Sequence, residues 1–333
     1  MNQRAKTELR SSWEEYFGTE TKVEQTQNGT AINDTTNSNN YYVFYCLFEE
    51  CKEIGAIYIK RTNSICTLLE NSKFNNCSYT SDDGGGSVLY HCYYHGQFVQ
   101  KRTCYFKSIA SNNFMAFRQW TNPEPSYKNY AIDVSVCNCG ESESKGSFTF
   151  LIIYGDIIIS NINSTNNKCK QFSSISSHLN GRSFSCNFST FRGNNQTETY
   201  SLFFEINAGS PRSIQTISYC NVIGNKCGTD NNQVLFVSTY TTNVDHCIFL
   251  NNTAKYMFHN DVKNYKLTIS DSYVDSQSVT STGGSVTFTN LTNNYDFYNF
   301  YNFYTENCFA ARKSKFSGGT KALYKPLFLN RRR

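Results

Sequence analysis

Cys186-Asn-Phe188-Ser-Thr-Phe-Arg-Gly-Asn194, Cys220-Asn-Val222-Ile-Gly-Asn225 and Cys247-Ile-Phe249-Leu-Asn-Asn252 are three copies of one phrase, all within the stretch from Ser185 to Asn252. Each has a cysteine, a skipped position, a large apolar residue and then a polar turn that carries Asn. The three cysteines stand 34 and 27 residues apart. A phrase returning at such spacing is a repeat, and a repeat sets the architecture before any single residue is read for chemistry.

The frame extends both ways, with anchors at positions 46, 72, 104, 134, 160, 186, 220, 247 and 271. Side chains alternate along a strand, so the anchor and the residue two later share a face. That second residue is Phe, Val, Ile or Tyr at every anchor, and the residue between is often Lys, Asn or Ser, which is half-buried strand patterning. Most units then carry a second apolar run: Ala56–Ile59, Ser87–Tyr90, Phe148–Ile153, Ser201–Phe204, Val234–Val237 and Ser285–Phe288. Such a unit cannot bury its apolar face alone and must stack on its neighbours. The expected fold class is all-β: a single parallel β-helix, a solenoid of about nine or ten rungs. A leucine-rich repeat lacks its Leu pattern here, and a β-sandwich does not explain a recurring Cys-x-Phe register.

The chain divides accordingly. Residues 1–40, rich in Thr, Asn and Gln from 18 on, read as a short N-terminal cap or a disordered lead. Residues 41–290 are the repeat body. Residues 291–333 hold a Tyr/Phe/Asn-rich run, read as a degenerate rung or coil cap, and then an irregular basic tail. With 26 Phe, 24 Tyr, four Pro and only 17% charged residues in 333, the composition favours strands under an Asn/Ser/Thr surface over a helical bundle. Eight of the basic residues fall between Arg312 and Arg333, which carries no acidic one. The net charge of +5 therefore leaves the rest of the chain at −3, which argues against a nucleic-acid partner. The longest apolar strands, around Ile152 and Ile157, are too short and interrupted to cross a membrane.

Fourteen cysteines suggest an oxidising compartment, whereas their place in the anchor column suits small buried thiols. Both readings are open, since rungs stack within disulfide reach. Cys51 with Cys77, and Cys220 with Cys247, share offsets on consecutive rungs and are the preferred bridges if any form. Eight Asn-x-Ser/Thr sequons add nothing on secretion, because 40 Asn give roughly eight by chance.

Phe191-Arg-Gly-Asn194, Phe249-Leu-Asn-Asn252 and Phe74-Asn-Asn resemble the Phe-x-x-Asn repeats of polymorphic outer-membrane proteins, and Gly284-Ser-Val286, Gly86-Ser-Val88 and Gly55-Ala-Ile57 resemble degenerate forms of that family's Gly-Gly-Ala-Ile motif. The Cys-x-Phe-x-x-Cys run from Cys46 to Cys51 is similar to β-helical surface proteins of trichomonad protists. The resemblance spans about residues 41–290. It implies a right-handed, pectin-lyase-like parallel β-helix at the cell surface, serving adhesion or antigenic display. The chain departs from that pattern: residues 1–17 carry no apolar signal-peptide core, and no C-terminal anchor or autotransporter barrel is evident.

Pectin lyases and polygalacturonases share the β-helix, so catalysis must be weighed. Glycoside hydrolysis needs two carboxylates at a fixed gap. Asp245 with Asp271, beside His246, is the best pair, ahead of Asp133 with Asp156. The Asn-Thr-Asp, Asp-Asp, Gly-His-Gly and Arg-Ile-Lys set of polygalacturonases is absent, and no acidic cluster offers a calcium site for a lyase. No Cys-x-x-Cys pair offers a zinc site, and the five histidines are dispersed. No metal or cofactor is expected. The reading is a monomeric, non-enzymatic repeat protein that binds a protein or glycan ligand. The alternatives are a carbohydrate-active β-helix centred on Asp245 and Asp271, and a truncated paralogue without independent function.

Overall fold

The computed structural model describes residues 12–36, 39–80, 85–92, 94–124, 126–140, 146–172, 177–178, 184–196, 200–204, 214–227 and 233–295. Strand accounts for 56% and helix for 3%, so the all-β class holds. The strands coil as a parallel β-solenoid of about seven turns, slightly fewer than the nine or ten expected. Residues 173–176, 205–213 and 228–232, among others, lie outside the described residues.

Every ladder between strands of the described residues is parallel. The long ladder starts at Val23–Asn28, Tyr41–Glu49 and Cys66–Glu70, continues through Gln97–Phe106 and Lys128–Cys137, and ends at Lys266–Ser270 and Ser285–Thr289. A second face stacks Ile32–Asp34, Ile57–Lys60, Val88–His91, Phe114–Trp120 and Phe148–Ile153, and further along Tyr200–Phe204, Val234–Ser238, Tyr256–Asn260 and Val279–Ser281. Five of these are expected second runs, at Ile57–Lys60, Val88–His91, Phe148–Ile153, Tyr200–Phe204 and Val234–Ser238; Ile32–Asp34, Phe114–Trp120, Tyr256–Asn260 and Val279–Ser281 are additional, and Ser285–Thr289 belongs to the long ladder.

Left-handed corners turn the chain. One row comprises Tyr45, Asn71, Arg102, Asp133, Asn161, Phe188, Tyr219, His246 and Asp271, with φ between 47° and 57°. A second row lies five residues on: Glu50, Asn76, Lys107, Asn138, Asn166, Gly193, Gly224 and Asn251. Asn and Gly tolerate this conformation, and they fill most of the second row. The short strand between two corners buries the first and third residues after the first corner, as with Cys247 and Phe249.

The corners also correct the repeat frame. It is right at Cys46, Ser72, Val134, Cys220 and Cys247. Elsewhere the buried anchors are Thr103, Ile162, Ser189 and Ser272, in place of Cys104, Ser160, Cys186 and Asp271. Their partners two residues later are Tyr105, Ser164, Phe191 and Val274, which stack in one column with Phe74, Val136, Val222 and Phe249. A corner residue takes up one position without serving either face, so counting in twos across it slips the register. Cys186 does face the core, but in the column before the corner, between Ile159 and Ile217.

Two polar columns explain the residue choice. The anchor side chain closes the gap left by the corner: Ser272 Oγ accepts the Cys247 N–H at 2.9 Å and donates to Ser270 O at 2.6 Å. Ser189 does the same for Ile162 N–H, at 3.1 Å, and Cys247 Sγ for Cys220 N–H, at 3.4 Å. After the second corner, Asn167, Asn194, Asn225 and Asn252 form a ladder. Each of the first three donates through Nδ2 to the Oδ1 of the next at 3.0 Å, and each donates to a backbone carbonyl as well. Between these columns lie stacked rings, with Phe48–Phe74 centroids 4.9 Å apart and Phe74–Tyr105 centroids 4.7 Å apart.

The short helix at 12–17 lies against the side of the coil instead of closing its open end. Trp13 and Phe17 cover Tyr42, Phe44, Cys66, Leu68 and Val99, which come from three successive turns. Glu70, buried beneath, accepts hydrogen bonds from Ser12 Oγ at 3.1 Å and Tyr42 OH at 2.8 Å. No helix among the described residues is long and apolar enough to cross a membrane. The run of aromatics and the basic tail, from 296 on, lie outside the described residues.

Candidate functional site

The first row of corners sets its side chains outside the coil. At Phe188, Tyr219 and His246 these are rings, stacked one per turn. Phe188 and Tyr219 centroids lie 5.2 Å apart with planes 10° from parallel, and Tyr219 and His246 lie 5.0 Å apart at 27°. The row is open: Phe188 is 45% and Tyr219 39% exposed, and the His246 side chain 41%. One residue earlier on each turn runs a polar row, Asn187, Ser218, Asp245 and Ser270, in register. Ser218 Oγ donates to Asn187 Oδ1 at 2.8 Å and Ser270 Oγ to Asp245 Oδ1 at 3.0 Å. His246 Nδ1 sits 2.7 Å from Asp245 Oδ2. The result is a ridge with an aromatic crest and a hydrogen-bonding flank.

Left-handed backbone costs a bulky residue about 1–2 kcal/mol. An offset or stacked ring pair returns about 0.5–1.5 kcal/mol. The two nearly cancel, while Asn, used at Asn71 and Asn161, fits the corner without the penalty. Stability alone therefore does not account for the rings at Phe188 and Tyr219.

Asp245, His246 and Asp271 are neighbours, but their wiring is not that of a serine–histidine–carboxylate triad. A serine nucleophile needs its hydroxyl on the histidine, with the carboxylate behind. Here Asp245 stands in the middle and takes both Ser270 Oγ–H and the imidazole, so the histidine is not on the hydroxyl. Asp271 is itself a corner residue, aligned with His246 and not with Asp245, which pairs with Ser270. Asp156 pairs with Lys128, five residues before Asp133. That puts the other carboxylate pair about 16 Å apart along the strand, beyond the roughly 9.5 Å upper limit for inverting hydrolysis. Asp156 Oδ2 accepts Tyr130 OH at 2.6 Å and Asp133 Oδ1 accepts Asn161 Nδ2 at 2.7 Å. A cavity of about 230 Å³ lies elsewhere, at Thr35, Lys60, Arg61, Thr62, His91 and Tyr94. Among the described residues, no three His, Cys, Asp or Glu side chains converge as a metal site.

The chain matches no known family model, no curated protein and no solved structure. Its likeness to polymorphic outer-membrane and trichomonad surface proteins thus rests on the repeat motifs, and the structure supports the coarser part of it, the parallel β-solenoid.

The thiols sort into two kinds. Cys46, Cys51, Cys66, Cys77, Cys92, Cys137, Cys139, Cys169, Cys186, Cys220, Cys227 and Cys247 carry thiols. Both pairs singled out from the repeat are in contact as thiols: Cys51 with Cys77, and Cys220 with Cys247. Burial pushes Cys66 up to about 11 and Cys92, Cys139 and Cys169 up to about 12. Cys51, at the edge, goes the other way, to about 7, because the Cys77 S–H stabilises its thiolate.

Sequence reasoning placed Phe188 in the core and missed the ridge. The inward Asn would have found it. Counting back from Asn194, Asn225 and Asn252, the large apolar core residue sits at minus three (Phe191, Val222, Phe249) and the corner at minus six (Phe188, Tyr219, His246).

Proposed function

We propose that this chain is a non-enzymatic binding scaffold whose ridge at Phe188, Tyr219 and His246, flanked by Asn187, Ser218, Asp245 and Ser270, engages a protein or glycan partner. The observation that carries the reading is the row of exposed rings held in costly left-handed backbone. Strained residues collect where function requires them. The flank repeats its hydrogen-bonding groups at the rung spacing of about 4.8 Å, which suits an extended partner with periodic donors and acceptors. Surface adhesion or antigenic display is the setting that the repeat motifs suggest. The carbohydrate-active alternative gains nothing from Asp245, whose two oxygens are already engaged by Ser270 and His246.

The test compares the full chain with a Phe188→Asn/Tyr219→Asn variant on immobilised glycans and on cell-surface protein preparations. Asn keeps the corner, so the variant should be at least as stable in urea while binding falls about tenfold, roughly 1.4 kcal/mol. Equal binding by both proteins, or turnover of polygalacturonate by the wild type, removes the reading.

A further inference from the structure

Cys51 and Cys77 hold the same place on consecutive turns, just after the corner residues Glu50 and Asn76. The ladder fixes them side by side: Glu50 N–H donates to Asn75 O at 2.9 Å, and Ser78 N–H to Cys51 O at 2.8 Å. Adjacent strands lie about 4.8 Å apart, inside the roughly 4.4–6.8 Å between Cα atoms that a disulfide spans. Their sulfurs point into the same pair of turns: Cys77 Sγ donates to Phe48 O at 3.8 Å and to Asn75 O at 3.7 Å, and Cys51 Sγ to Glu49 O at 4.0 Å.

Their surroundings differ in a useful way. Cys77 is fully buried, whereas Cys51 is part-exposed against the edge of the core. The contact with Cys77 lowers the Cys51 thiol, against the effect of its own partial burial, and the same contact together with burial raises Cys77. Thiol–disulfide exchange needs this division: an accessible sulfur that carries charge near neutral pH, and a resolving sulfur in reach behind it. The second stacked pair shows the contrast. Cys220 and Cys247 are both fully buried, and burial drives both thiols well above their ordinary value.

We propose that Cys51 and Cys77 form a reversible disulfide, made by exchange with a low-molecular-weight disulfide, that fastens the turn of residues 41–51 to the turn of residues 66–77. The Cys51 thiolate attacks one sulfur of the small disulfide, forming a mixed disulfide and releasing one small thiolate. Cys77 loses its proton to that thiolate and attacks the Cys51 sulfur. The mixed bond breaks and the second small thiolate leaves, taking a proton from water. Two protein thiols are oxidised to one disulfide, and one small disulfide is reduced to two thiols. The bond is independent of any ligand on the ridge, which lies on other turns.

The reduced full chain is incubated with glutathione disulfide at neutral pH, quenched by alkylation and mapped by mass spectrometry. A cross-linked pair of peptides containing Cys51 and Cys77 should appear first and vanish with dithiothreitol, while Cys220 and Cys247 stay alkylatable only after unfolding. Cys77→Ser should trap glutathione on Cys51, and Cys51→Ser should leave Cys77 unmodified. If wild-type Cys51 keeps its glutathione and Cys77 does not displace it, the proposal fails. Appearance of the Cys220–Cys247 bridge at the same rate also overturns it, since that indicates oxidation of the unfolded chain.

Discussion

At the scale of single residues, the chemistry of the repeat lies in its corners. A left-handed residue leaves the next N–H facing inward with no strand partner, and the Ser or Cys of the following turn supplies the acceptor. This is why Cys and Ser interchange at the anchors Cys46, Ser72, Ser189, Cys220, Cys247 and Ser272, and it places three of the fourteen cysteines without any appeal to disulfides. Ser272→Ala removes the acceptor of Cys247 N–H, now 2.9 Å away in a fully buried site. Leaving such a donor unpaired costs about 1–3 kcal/mol, to be read as a drop in the urea midpoint at unchanged slope. Ser272→Cys should recover part of it, because sulfur accepts weakly, as Cys247 does at 3.4 Å. A loss below about 0.5 kcal/mol would mean that the N–H is satisfied in another way. The alternation of small and aromatic core positions was legible in the sequence at Cys46, Cys220 and Cys247. It was not legible at Ser189 or Thr103, because nothing marks Phe188 or Arg102 as left-handed: both are residue types that rarely adopt positive φ.

At the scale of elements, the coil is not equally covered along its length. The turns nearest the N-terminus have their outer surface sealed by the helix at 12–17, whereas later turns show Thr216, Asn243, Thr268 and Thr287 at the matching register. Tyr42, Leu68 and Val99 occupy that register beneath the helix, so the apolar patch and its cover go together. Trp13→Ala should undock the helix without melting the coil, since the inner columns do not touch it. Cys66 reports the event. It is 6% exposed under the helix, and burial holds its thiol up near 11. Undocking should return that thiol toward its ordinary range and raise its alkylation rate at pH 8 at least tenfold, with the β-sheet circular dichroism intact; protection persisting at Cys66 would place its cover elsewhere. A cap within residues 1–40 was one of two readings open from the sequence, but neither its helical form nor its seat could be read there. Solenoids usually need their open ends closed, and only the alternation of Tyr42, Phe44, Leu68 and Val99 on the outer side shows that a lateral patch needed covering first.

For the whole molecule, the stack implies that stability is nearly a sum of turns and of contacts between neighbours. The Asn ladder makes the consequence sharp. Asn167, Asn194 and Asn225 repeat the same three hydrogen bonds, and Asn252 accepts from Asn225 as Asn225 does from Asn194, so Asn252 can take the place of Asn225 beneath Asn194 without a change of geometry. Tyr219 and His246 are equivalent corners 27 residues apart, as are the anchors Cys220 and Cys247. Removing residues 219–245 joins Ser218 directly to His246 and deletes one turn in phase. Asp245 and Ser218 are partners in the ladder, so every inward column closes again across the cut. The shortened chain should fold, with a cooperative urea transition at a lower midpoint and a slope reduced in proportion to the surface lost. Removing 219–244 instead leaves one extra residue before the corner. With a side-chain period of two, that sends the strand's inward residues to the other face for as long as the slip persists. It should therefore lose cooperative unfolding or aggregate. Equal behaviour of the two deletions in circular dichroism and urea titration would show that the corners do not set the register, and the columns of Cys, aromatic and Asn side chains would need another cause.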